Sequence, residues 1–462
     1  MITVTFDKNP GAKPLYTQLY EQISHLIIDG VISPGEKLPS KKKLAEHLQI
    51  SVKTVENAYF QLSLEGYIHS KEKVGFFASD IKGFYTASHP ERPAYVSKYK
   101  EDTYLLDIRA NTTPAEMFPL SIWSRLSREC QAEQGRKLLA TVPFNGIEEL
   151  RVAISRYLLG FRGMKVSPDQ IVIGSGTEYL YSRLTHLLGK ECVIGMEDPG
   201  YTHIKKILIN DGVPYRSLPV DKGGVSIKAL GESDCNAVHV SPMCHFPLGI
   251  TIPVQRRVEL LQWVNAAPGR YIIEDDYNSE YLYQGSPVPT IYSQDVRQKV
   301  IYMNTFSKTI APSLRVSYMV LPEKLMDRYV ETTSFYSCTV SSTIQYQLAK
   351  FISEGHFERH IHRIKQYNIK QREMVIDQLS HSGLTLNLAN SPVGTHYLLL
   401  LNTKKSDEVL YEELLKRGIL ASFVSQYCES SFPLFNHLLI LNYSSITPEG
   451  MRLLIKNLKE IL

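Results

Sequence analysis

The stretch of sequence that decides the fold spans residues 300–321 and reads VIYMNTFSKTIAPSLRVSYMVL. Its two ends are short apolar runs, which predict two buried strands on either side of a polar loop. The reactive side chains of this loop are Thr305, Ser307, Lys308 and Arg315. Hydroxyl groups and a guanidinium suit a phosphate, and a lysine at the end of a strand can form a Schiff base. The stretch therefore predicts a phosphate-binding site that also holds a reactive amine.

An acidic segment upstream of Val300 could supply a carboxylate to a cofactor with a positively charged ring. Residues 271–273 have the pattern of a buried strand, and the sequence that follows them is Glu274-Asp275-Asp276-Tyr277. A carboxylate at the end of that strand could form a salt bridge with the pyridinium nitrogen of pyridoxal phosphate (PLP). Together with Lys308, this segment makes PLP the cofactor that the sequence indicates.

Short apolar strands alternate with helical stretches from Tyr104 onward, which predicts an α/β domain with a mainly parallel sheet. In such a sheet, ligands bind at the carboxyl ends of the strands. Three residues that could hold or cover a flat, phosphorylated cofactor follow predicted strands: Gly176, Thr177 and Tyr201. Taken alone, each of these residues more often belongs to a tight turn or to ordinary packing than to a binding site. A single loop lysine such as Lys308 is likewise more often solvated. Because several strand ends carry such residues in order, a cofactor site is the stronger interpretation. The predicted strands are residues 171–173, 192–195, 237–240, 271–273 and 301–303.

The length and composition fit a globular protein with about two or three domains. The 462 residues include 51 basic and 47 acidic side chains, so the net charge of +4 says little about partners. The first 26 residues lack a signal-peptide pattern, and no apolar run approaches the roughly 20 residues of a membrane helix. The six cysteines are scattered, without metal-ligand spacing. We therefore expect a cytoplasmic protein with free thiols, no metal and no membrane association.

The first 78 residues have the pattern of a winged helix-turn-helix. Apolar residues recur every four positions from Leu15 to Ile27, and Ser40 and Ser51 are N-cap candidates for two further helices. A possible hairpin at residues 67–77 completes the pattern. Residues 37–53 contain five lysines and only one acidic residue, so this region could contact the phosphates of double-stranded DNA. The alternative is a three-helix cap with a solvated lysine face.

The boundaries of this module follow from a change in pattern. Residues 79–103 contain glycine, serine, prolines and charged residues without periodicity, which predicts a connector. The sequence therefore predicts a DNA-binding domain at residues 1–78 and an α/β domain at residues 104–462.

Residues 38–68, LPSKKKLAEHLQISVKTVENAYFQLSLEGYI, resemble the GntR-type winged helix. The resemblance implies that Ser40 and Lys42 bind DNA phosphates. It also implies that Ser51, Lys53 and Thr54 lie at the groove. One departure is Val52, which stands where the family usually has an arginine.

The α/β domain resembles the aminotransferase-like domain of the MocR/GabR family of transcriptional regulators. The motifs that carry this resemblance occur in order: GSGT, EDPGY, a His-Phe-Pro-x-Gly loop, IIEDDYNSEY and NTFSKTIAPSLRVSYM. The resemblance implies the fold-type I aminotransferase architecture, with a mainly parallel sheet and a smaller C-terminal α/β subdomain. It also implies bound PLP and a head-to-tail homodimer that reads two DNA half-sites.

The same resemblance assigns roles to individual residues. Lys308 would form the Schiff base with PLP, Asp275 would pair with the pyridine nitrogen, and Tyr277 would hydrogen-bond the 3′-oxygen. Tyr201 would cover the ring. For Asp276 and Glu280 we expect structural roles instead. The phosphate would be held by Gly176, Thr177, Thr305, Ser307 and Arg315.

Two departures concern ligand recognition. Phe246 stands where aminotransferases usually have an asparagine before the proline, and Gln426 follows Ser425 where relatives have an arginine. Because no arginine lies between Arg417 and Arg452, we expect no bidentate clamp for a substrate carboxylate there. The hypothesis that follows is an effector other than a simple α-amino acid, such as PLP itself, an amine or a dipeptide.

The sequence thus predicts a DNA-binding transcriptional regulator that binds PLP and senses PLP or an amine-type or amino-acid-type effector. The main alternative is an active PLP-dependent aminotransferase that carries a DNA-binding module. The missing clamp argues against efficient turnover, because positioning of this kind contributes several kcal/mol to catalysis. A PLP-independent scaffold is the third alternative, and it is disfavoured by the presence of Asp275, Tyr277, Lys308 and Arg315.

Overall fold

The computed structural model shows a chain of two compact units, Met1–Glu101 and Asp102–Leu462. Most of the predicted connector, from residue 82 to residue 103, lies outside the described residues. The structure describes residues 2–7, 9, 11–81, 104–109, 111, 113–283, 288–384, 386–389, 393–430 and 432–462.

The first unit is the predicted winged helix-turn-helix. Leu19, Ile23, Val55 and Leu62 are completely buried in its core, so the apolar faces read from the sequence do face inward. The two strands of the hairpin are antiparallel and pair Ile68 with Ala78. The elements of this unit are α1 (Leu15–Ile28), α2 (Lys41–Leu48), α3 (Val52–Leu64), β1 (Ile68–Lys71) and β2 (Gly75–Ala78).

The second unit is an α/β domain. Its strands are β3 (Leu106–Asp107), β4 (Ile171–Gly174), β5 (Ile194–Asp198), β6 (Tyr215–Asp221), β7 (Gly224–Val225), β8 (Ala237–Val240), β9 (Tyr271–Asp275), β10 (Val300–Thr305), β11 (Ser317–Val320), β12 (Leu386–Ala389), β13 (His396–Leu401), β14 (Ile419–Leu420) and β15 (Leu438–Asn442).

Its helices cover the sheet and build the C-terminal part. They are α4 (Leu120–Gln134), α5 (Glu148–Arg162), α6 (Thr177–Leu188), α7 (Thr202–Asp211), α8 (Ile227–Glu232), α9 (Val254–Asn265), α10 (Ile291–Gln294), α11 (Phe306–Thr309), α12 (Glu323–Thr333), α13 (Ser342–Ser353), α14 (His356–Ser380), α15 (Asp407–Lys416) and α16 (Pro448–Ile461).

The central sheet has eight strands in the order β4-β11-β10-β9-β8-β5-β6-β7. The five strands from β10 to β6 are parallel, whereas β11 is antiparallel to both of its neighbours. The sheet is therefore mainly parallel, as predicted. Separate apolar clusters cover it, which explains the continuous apolar runs of β9 and β10, whereas β6, near the edge of the sheet, also carries exposed polar residues.

The predicted strand positions are close to the observed ones. The prediction was least accurate for β5, which begins at Ile194 instead of Cys192 and continues to Asp198. Its pairing with β6 extends as far as Asp198 and Pro219, so backbone hydrogen bonding carries the strand past its apolar run.

The predicted C-terminal subdomain is built on the three-stranded antiparallel sheet β12-β13-β15. Its core contains Leu399, Leu441 and Leu454. The short strand β3 pairs in parallel with β14, which attaches the start of the second unit to this subdomain. None of the described helices is long and apolar enough to cross a membrane.

Candidate functional site

A cavity of about 610 Å³ lies at the carboxyl ends of the parallel strands of the second unit. Asp275 ends β9, Thr305 ends β10, and Ser241 directly follows β8; all three line the cavity. Eight of the nine residues that the sequence assigned to the cofactor line it, and the ninth, Gly176, directly precedes Thr177. The structure therefore brings all nine residues to one place.

Lys308 projects into this cavity from the short helix α11, which begins where β10 ends. Its Nζ lies 4.4 Å from the centre of the Tyr277 ring. Its backbone carbonyl accepts hydrogen bonds from Thr113 Oγ1 at 3.1 Å and from Tyr281 Oη at 3.0 Å. Burial lowers the pKa of the Lys308 ammonium to about 8. The lysine thus has a fixed backbone and an amine that loses its proton more easily than usual.

Asp275 lies beside a histidine that the sequence analysis did not single out. The distance from Asp275 Oδ2 to His239 Nε2 is 3.6 Å, and both side chains line the cavity. His239 belongs to β8, the parallel neighbour of β9. A histidine within the apolar run AVHV was the available signal, but its partner could be known only from the strand order.

The other residues of the acidic segment have different positions. Tyr277 lines the cavity, and its hydroxyl donates to the carbonyl of Cys244 at 2.9 Å. Asp276 is buried in an ion pair of 3.0 Å with Arg162. Glu280 accepts a hydrogen bond from the Tyr157 hydroxyl at 3.1 Å. Neither carboxylate is among the described residues that line the cavity, in agreement with the structural roles expected for them.

The start of α6 and the loop before β11 meet where Gly176 lies beside Arg315, in an arrangement that could hold an anion and that we call the anion cradle. Gly176 has φ +96°, and a Cβ on it would lie 2.2 Å from Arg315 Nη2. The buried Ser307 Oγ has no hydrogen-bond partner among the described residues. Arg315 itself has φ +49°, in the left-handed region. Its guanidinium contacts the carboxylate of Glu178 at 2.6 Å, so a charged group already occupies one side of the arginine.

Two hydroxyl groups connect the parts of this cradle. Thr305 Oγ1 accepts from the Ser307 backbone N–H at 3.2 Å and from Ser317 Oγ at 2.8 Å. Ser317 Oγ also lies 3.4 Å from Thr177 Oγ1. Ser317 was not predicted; it is the first residue of β11, and its hydroxyl side chain only two residues after Arg315 was the available signal.

Tyr201 stands at the side of the cavity, directly before α7. Its hydroxyl lies 2.8 Å from His203 Nδ1, and its ring packs edge-on against Phe246 at a centroid distance of 6.0 Å. Phe246 therefore contributes an apolar wall at the position where aminotransferases usually have an asparagine.

Glu197, which lines the cavity, forms a buried pair of acid and base with His245. Glu197 Oε2 is 3.7 Å from His245 Nε2, and both side chains are almost fully buried. Burial raises the pKa of Glu197 to about 8 and lowers the pKa of His245 to about 3. At neutral pH both groups are therefore mostly uncharged, which lets them remain in an apolar environment.

The residues assigned to DNA lie at the starts of two helices in the first unit. Ser40 Oγ accepts from the Lys43 N–H at 3.3 Å, and Ser51 Oγ accepts from the Thr54 N–H at 3.0 Å. Both predicted N-caps are thereby confirmed. The two other assigned residues, Lys42 and Lys53, are exposed, and Lys53 Nζ is 3.0 Å from a carboxylate oxygen of Glu56.

Both units match known families. Residues 15–78 match the family described as bacterial regulatory proteins, gntR family. Residues 105–456 match aminotransferase class I and II. The chain is 29% identical to the probable rhizopine catabolism regulatory protein MocR of Rhizobium meliloti, over 95% of this chain and 92% of that protein. It belongs to the MocR/GabR family of transcriptional regulators.

Other relatives of this MocR/GabR-family regulator carry similar names. It is 35% identical to the uncharacterized HTH-type transcriptional regulator YdeL of Bacillus subtilis, over 96% of both chains. It is 28% identical to the HTH-type pyridoxine biosynthesis transcriptional regulator PdxR of Corynebacterium glutamicum, over 89% of this chain and 88% of that protein. Regulation of transcription is thus the function that the family indicates, in preference to catalysis alone.

The fold of the second unit also occurs in solved enzymes. An archaeal alanine:glyoxylate aminotransferase superimposes with a TM-score of 0.69 at 20% identity, over 78% of the regulator and 90% of the enzyme. At this identity the likeness establishes the fold alone, and it confirms the predicted fold-type I architecture.

Proposed function

We propose that this regulator binds PLP at Lys308, binds double-stranded DNA through its winged helix, and senses PLP or an amine-type or amino-acid-type ligand. The observation that carries the proposal is the convergence of four groups on one cavity: Lys308, Asp275, Tyr277 and the anion cradle at Gly176. Each group matches a different part of PLP, so the match does not depend on any one of them.

The fit of the cofactor's phosphate rests on features of the cradle. Ser307 Oγ is a buried hydroxyl without a partner among the described residues, and a phosphate oxygen would satisfy it. Gly176 leaves the space next to Arg315 that any Cβ would fill. Helix α6 begins at Thr177, directly after Gly176, so its first backbone N–H groups and the positive end of its dipole would favour an anion there.

The fit of the ring and the aldehyde rests on the other end of the cavity. Asp275, which lies beside His239, would pair with the pyridine nitrogen through its carboxylate. The hydroxyl of Tyr277 would hydrogen-bond the 3′-oxygen. PLP supplies an aldehyde that combines with primary amines and a ring that withdraws electrons. With a pKa of about 8, Lys308 is neutral in roughly a tenth of molecules at pH 7, against about one in three thousand for an ordinary lysine.

The DNA half of the proposal rests on the starts of α2 and α3. Ser40 and Lys42 would contact phosphates, and Ser51, Lys53 and Thr54 would lie at the major groove, as the start of a recognition helix does. We propose a homodimer as the DNA-binding form, because a single winged helix reads only one half-site.

The experiment that tests the proposal is a visible absorption spectrum of the purified protein with PLP. Lys308→Ala is the test variant, and Lys324→Ala, an exposed lysine at the start of α12, is the matched control. We expect a band in the wild type and in the control that is absent from Lys308→Ala. Identical spectra for all three proteins would show that PLP does not bind through Lys308.

A further inference from the structure

Arg109 lines the cavity and was not predicted from the sequence. Between Arg417 and Arg452, where relatives have the arginine that clamps a carboxylate, this chain has Gln426. In the structure Gln426 is exposed, and its Oε1 accepts a hydrogen bond from the backbone N–H of Phe423 at 3.1 Å. Gln426 is not among the described residues that line the cavity. Its neutral side chain therefore does not decide which ligands the cavity accepts.

The backbone that carries Arg109 is held by the C-terminal subdomain. The N–H of Ile108 donates to the carbonyl of Leu420 at 3.0 Å, next to the pairing of β3 with β14. The buried amide of Asn442 donates to the carbonyls of Arg109 at 3.0 Å and of Ile108 at 3.3 Å. The side chain of Arg109 thus begins from a fixed point, which specific recognition requires.

The guanidinium of Arg109 is oriented by one carboxylate and keeps one edge open. Asp107 accepts from Nε at 3.2 Å and from Nη2 at 3.3 Å. These two bonds fix the plane of the guanidinium. Among the described residues no partner contacts Nη1, and the side chain is 43% exposed, so a ligand can reach it. The open edge, Nη1 with the second hydrogen of Nη2, is the fork that binds a carboxylate in a bidentate way.

The other strong cations that line the cavity have different roles. Arg315 contacts Glu178 and is the proposed phosphate partner, while Lys308 is the proposed attachment point of PLP. In the part of the cavity that the structure describes, Arg109 is the one remaining arginine. An anionic group of a second ligand would therefore find its charge partner at Arg109.

A neutral acceptor lies next to this arginine. Asn442 is buried and lines the cavity, and its Oδ1 has no hydrogen-bond partner among the described residues. Its amide nitrogen is already bonded to the backbone of Arg109, which places the free oxygen close to the same segment. A ligand N–H or O–H would satisfy this oxygen. The site therefore offers a carboxylate-binding edge and an acceptor for a donor group.

We propose that Arg109 binds the carboxylate of an amino-acid effector that enters the cavity beside PLP, with Asn442 as a polar neighbour. This inference rests on the proposed function, because it takes Lys308 and Arg315 to be occupied by the cofactor. It differs from the hypothesis drawn from the arginine-free segment before Arg452, which favoured PLP itself, an amine or a dipeptide. The guanidinium missing from that segment is supplied by Arg109.

The test compares each amino acid with its own carboxamide. The PLP-loaded protein is titrated by calorimetry with the standard amino acids, β-alanine and γ-aminobutyrate, each beside the amide that lacks the negative charge. We expect at least one amino acid to bind the wild type about 10- to 100-fold tighter than its amide, as a charge-assisted pair implies. Arg109→Gln should abolish this preference, and Arg109→Lys should retain part of it. Arg452→Gln, at an exposed arginine paired with Glu449, should leave it unchanged.

The outcomes separate this inference from the proposed function. If the wild type shows no absorption band that depends on Lys308, PLP binding is wrong and the effector site falls with it. If the band is present but Arg109→Gln keeps the wild-type preference, or no ligand of the panel binds, PLP binding stands and the role of Arg109 is refuted. Because Arg109→Lys retains the charge, failure of Arg109→Gln to fold would still leave a measurable comparison.

Discussion

The carboxylate of Asp275 faces the imidazole of His239 across two neighbouring parallel strands, with Oδ2 3.6 Å from Nε2. Both side chains are largely removed from solvent. A buried carboxylate is costly unless polar groups support it, and His239 is a polar group that lies beside this one and also lines the cavity. We therefore expect His239 to help orient the carboxylate of Asp275.

The first prediction concerns this pair. Asp275→Asn should weaken the affinity for PLP about 10- to 100-fold, because the charge-assisted contact to the ring nitrogen is lost. His239→Asn should weaken it about 5-fold, because the carboxylate remains but is less well oriented. Fluorescence titration with PLP measures both, and Asp234→Asn, at an exposed aspartate paired with Arg216, serves as the control. An unchanged affinity in Asp275→Asn would exclude its role at the ring nitrogen.

The second prediction concerns the space that Gly176 leaves for Arg315. Gly176→Ala should weaken PLP binding at least about 10-fold, because the added Cβ displaces the guanidinium that would pair with the phosphate. Gly189→Ala is a matched control: its φ of +93° imposes similar backbone strain, but a Cβ there would meet nothing within 4 Å. Equal losses of PLP affinity in the two variants would attribute the effect to strain alone.

The third prediction concerns the competition between Glu178 and a phosphate for Arg315. Glu178→Gln should strengthen PLP binding about 2- to 5-fold, because the exposed ion pair no longer has to be broken. Glu449→Gln removes a carboxylate from a similarly exposed pair of 2.6 Å with Arg452 and should have no effect. Equilibrium titration measures both affinities. A weaker affinity in Glu178→Gln would mean that Glu178 orients Arg315 instead of competing for it.

The fourth prediction is a pH dependence of cofactor attachment. Only the neutral amine of Lys308 attacks an aldehyde, and burial lowers its pKa to about 8. The rate at which the Lys308-dependent band appears should rise about tenfold per pH unit below pH 7 and level off above about pH 8. Stopped-flow absorption measures this rate. A rate that still rises steeply above about pH 9 would show an ordinary lysine pKa.

The same pKa fixes the sign of a stability effect. The unfolded chain binds a proton at Lys308 up to a higher pH than the folded chain does. In the cofactor-free protein, the contribution of Lys308 to the free energy of unfolding should therefore increase as the pH rises from about 8 toward 10.5.

The fifth prediction concerns DNA. Replacing Lys42 and Lys53 together with alanine should weaken binding and reduce the slope of affinity against salt concentration by about two phosphate contacts. Fluorescence anisotropy at several salt concentrations measures the slope. Lys13→Ala, at an exposed lysine before α1 that pairs with Glu21, is the control. An unchanged slope in the double variant would show that the two lysines are solvated and do not contact DNA phosphates.

Much of the fold was predictable because its signals are local. The buried strands of a parallel sheet are apolar along their whole length, and the residues that end them, such as Asp275 and Thr305, are therefore marked by a change of polarity. The N-caps at Ser40 and Ser51 are likewise read from a few neighbouring residues.

The residues that were missed depend on contacts between distant segments. Arg109 enters the cavity because the two-residue strand β3 pairs with β14, more than 300 residues later in the chain. Such a short strand has no periodicity to detect. His239 and Glu178 were missed for a related reason: their partners, Asp275 and Arg315, are neighbours only after the strand order is known.

The left-handed backbone of Arg315 has a practical consequence for engineering this domain. An arginine with a backbone φ near +49° is strained by about 1 kcal/mol, and asparagine adopts this conformation at a lower cost. A selection for heat resistance alone would therefore favour replacing the arginine and would lose the anion cradle at the same time. Libraries built to stabilise the protein should hold this codon constant or be sorted for cofactor retention as well as for melting temperature.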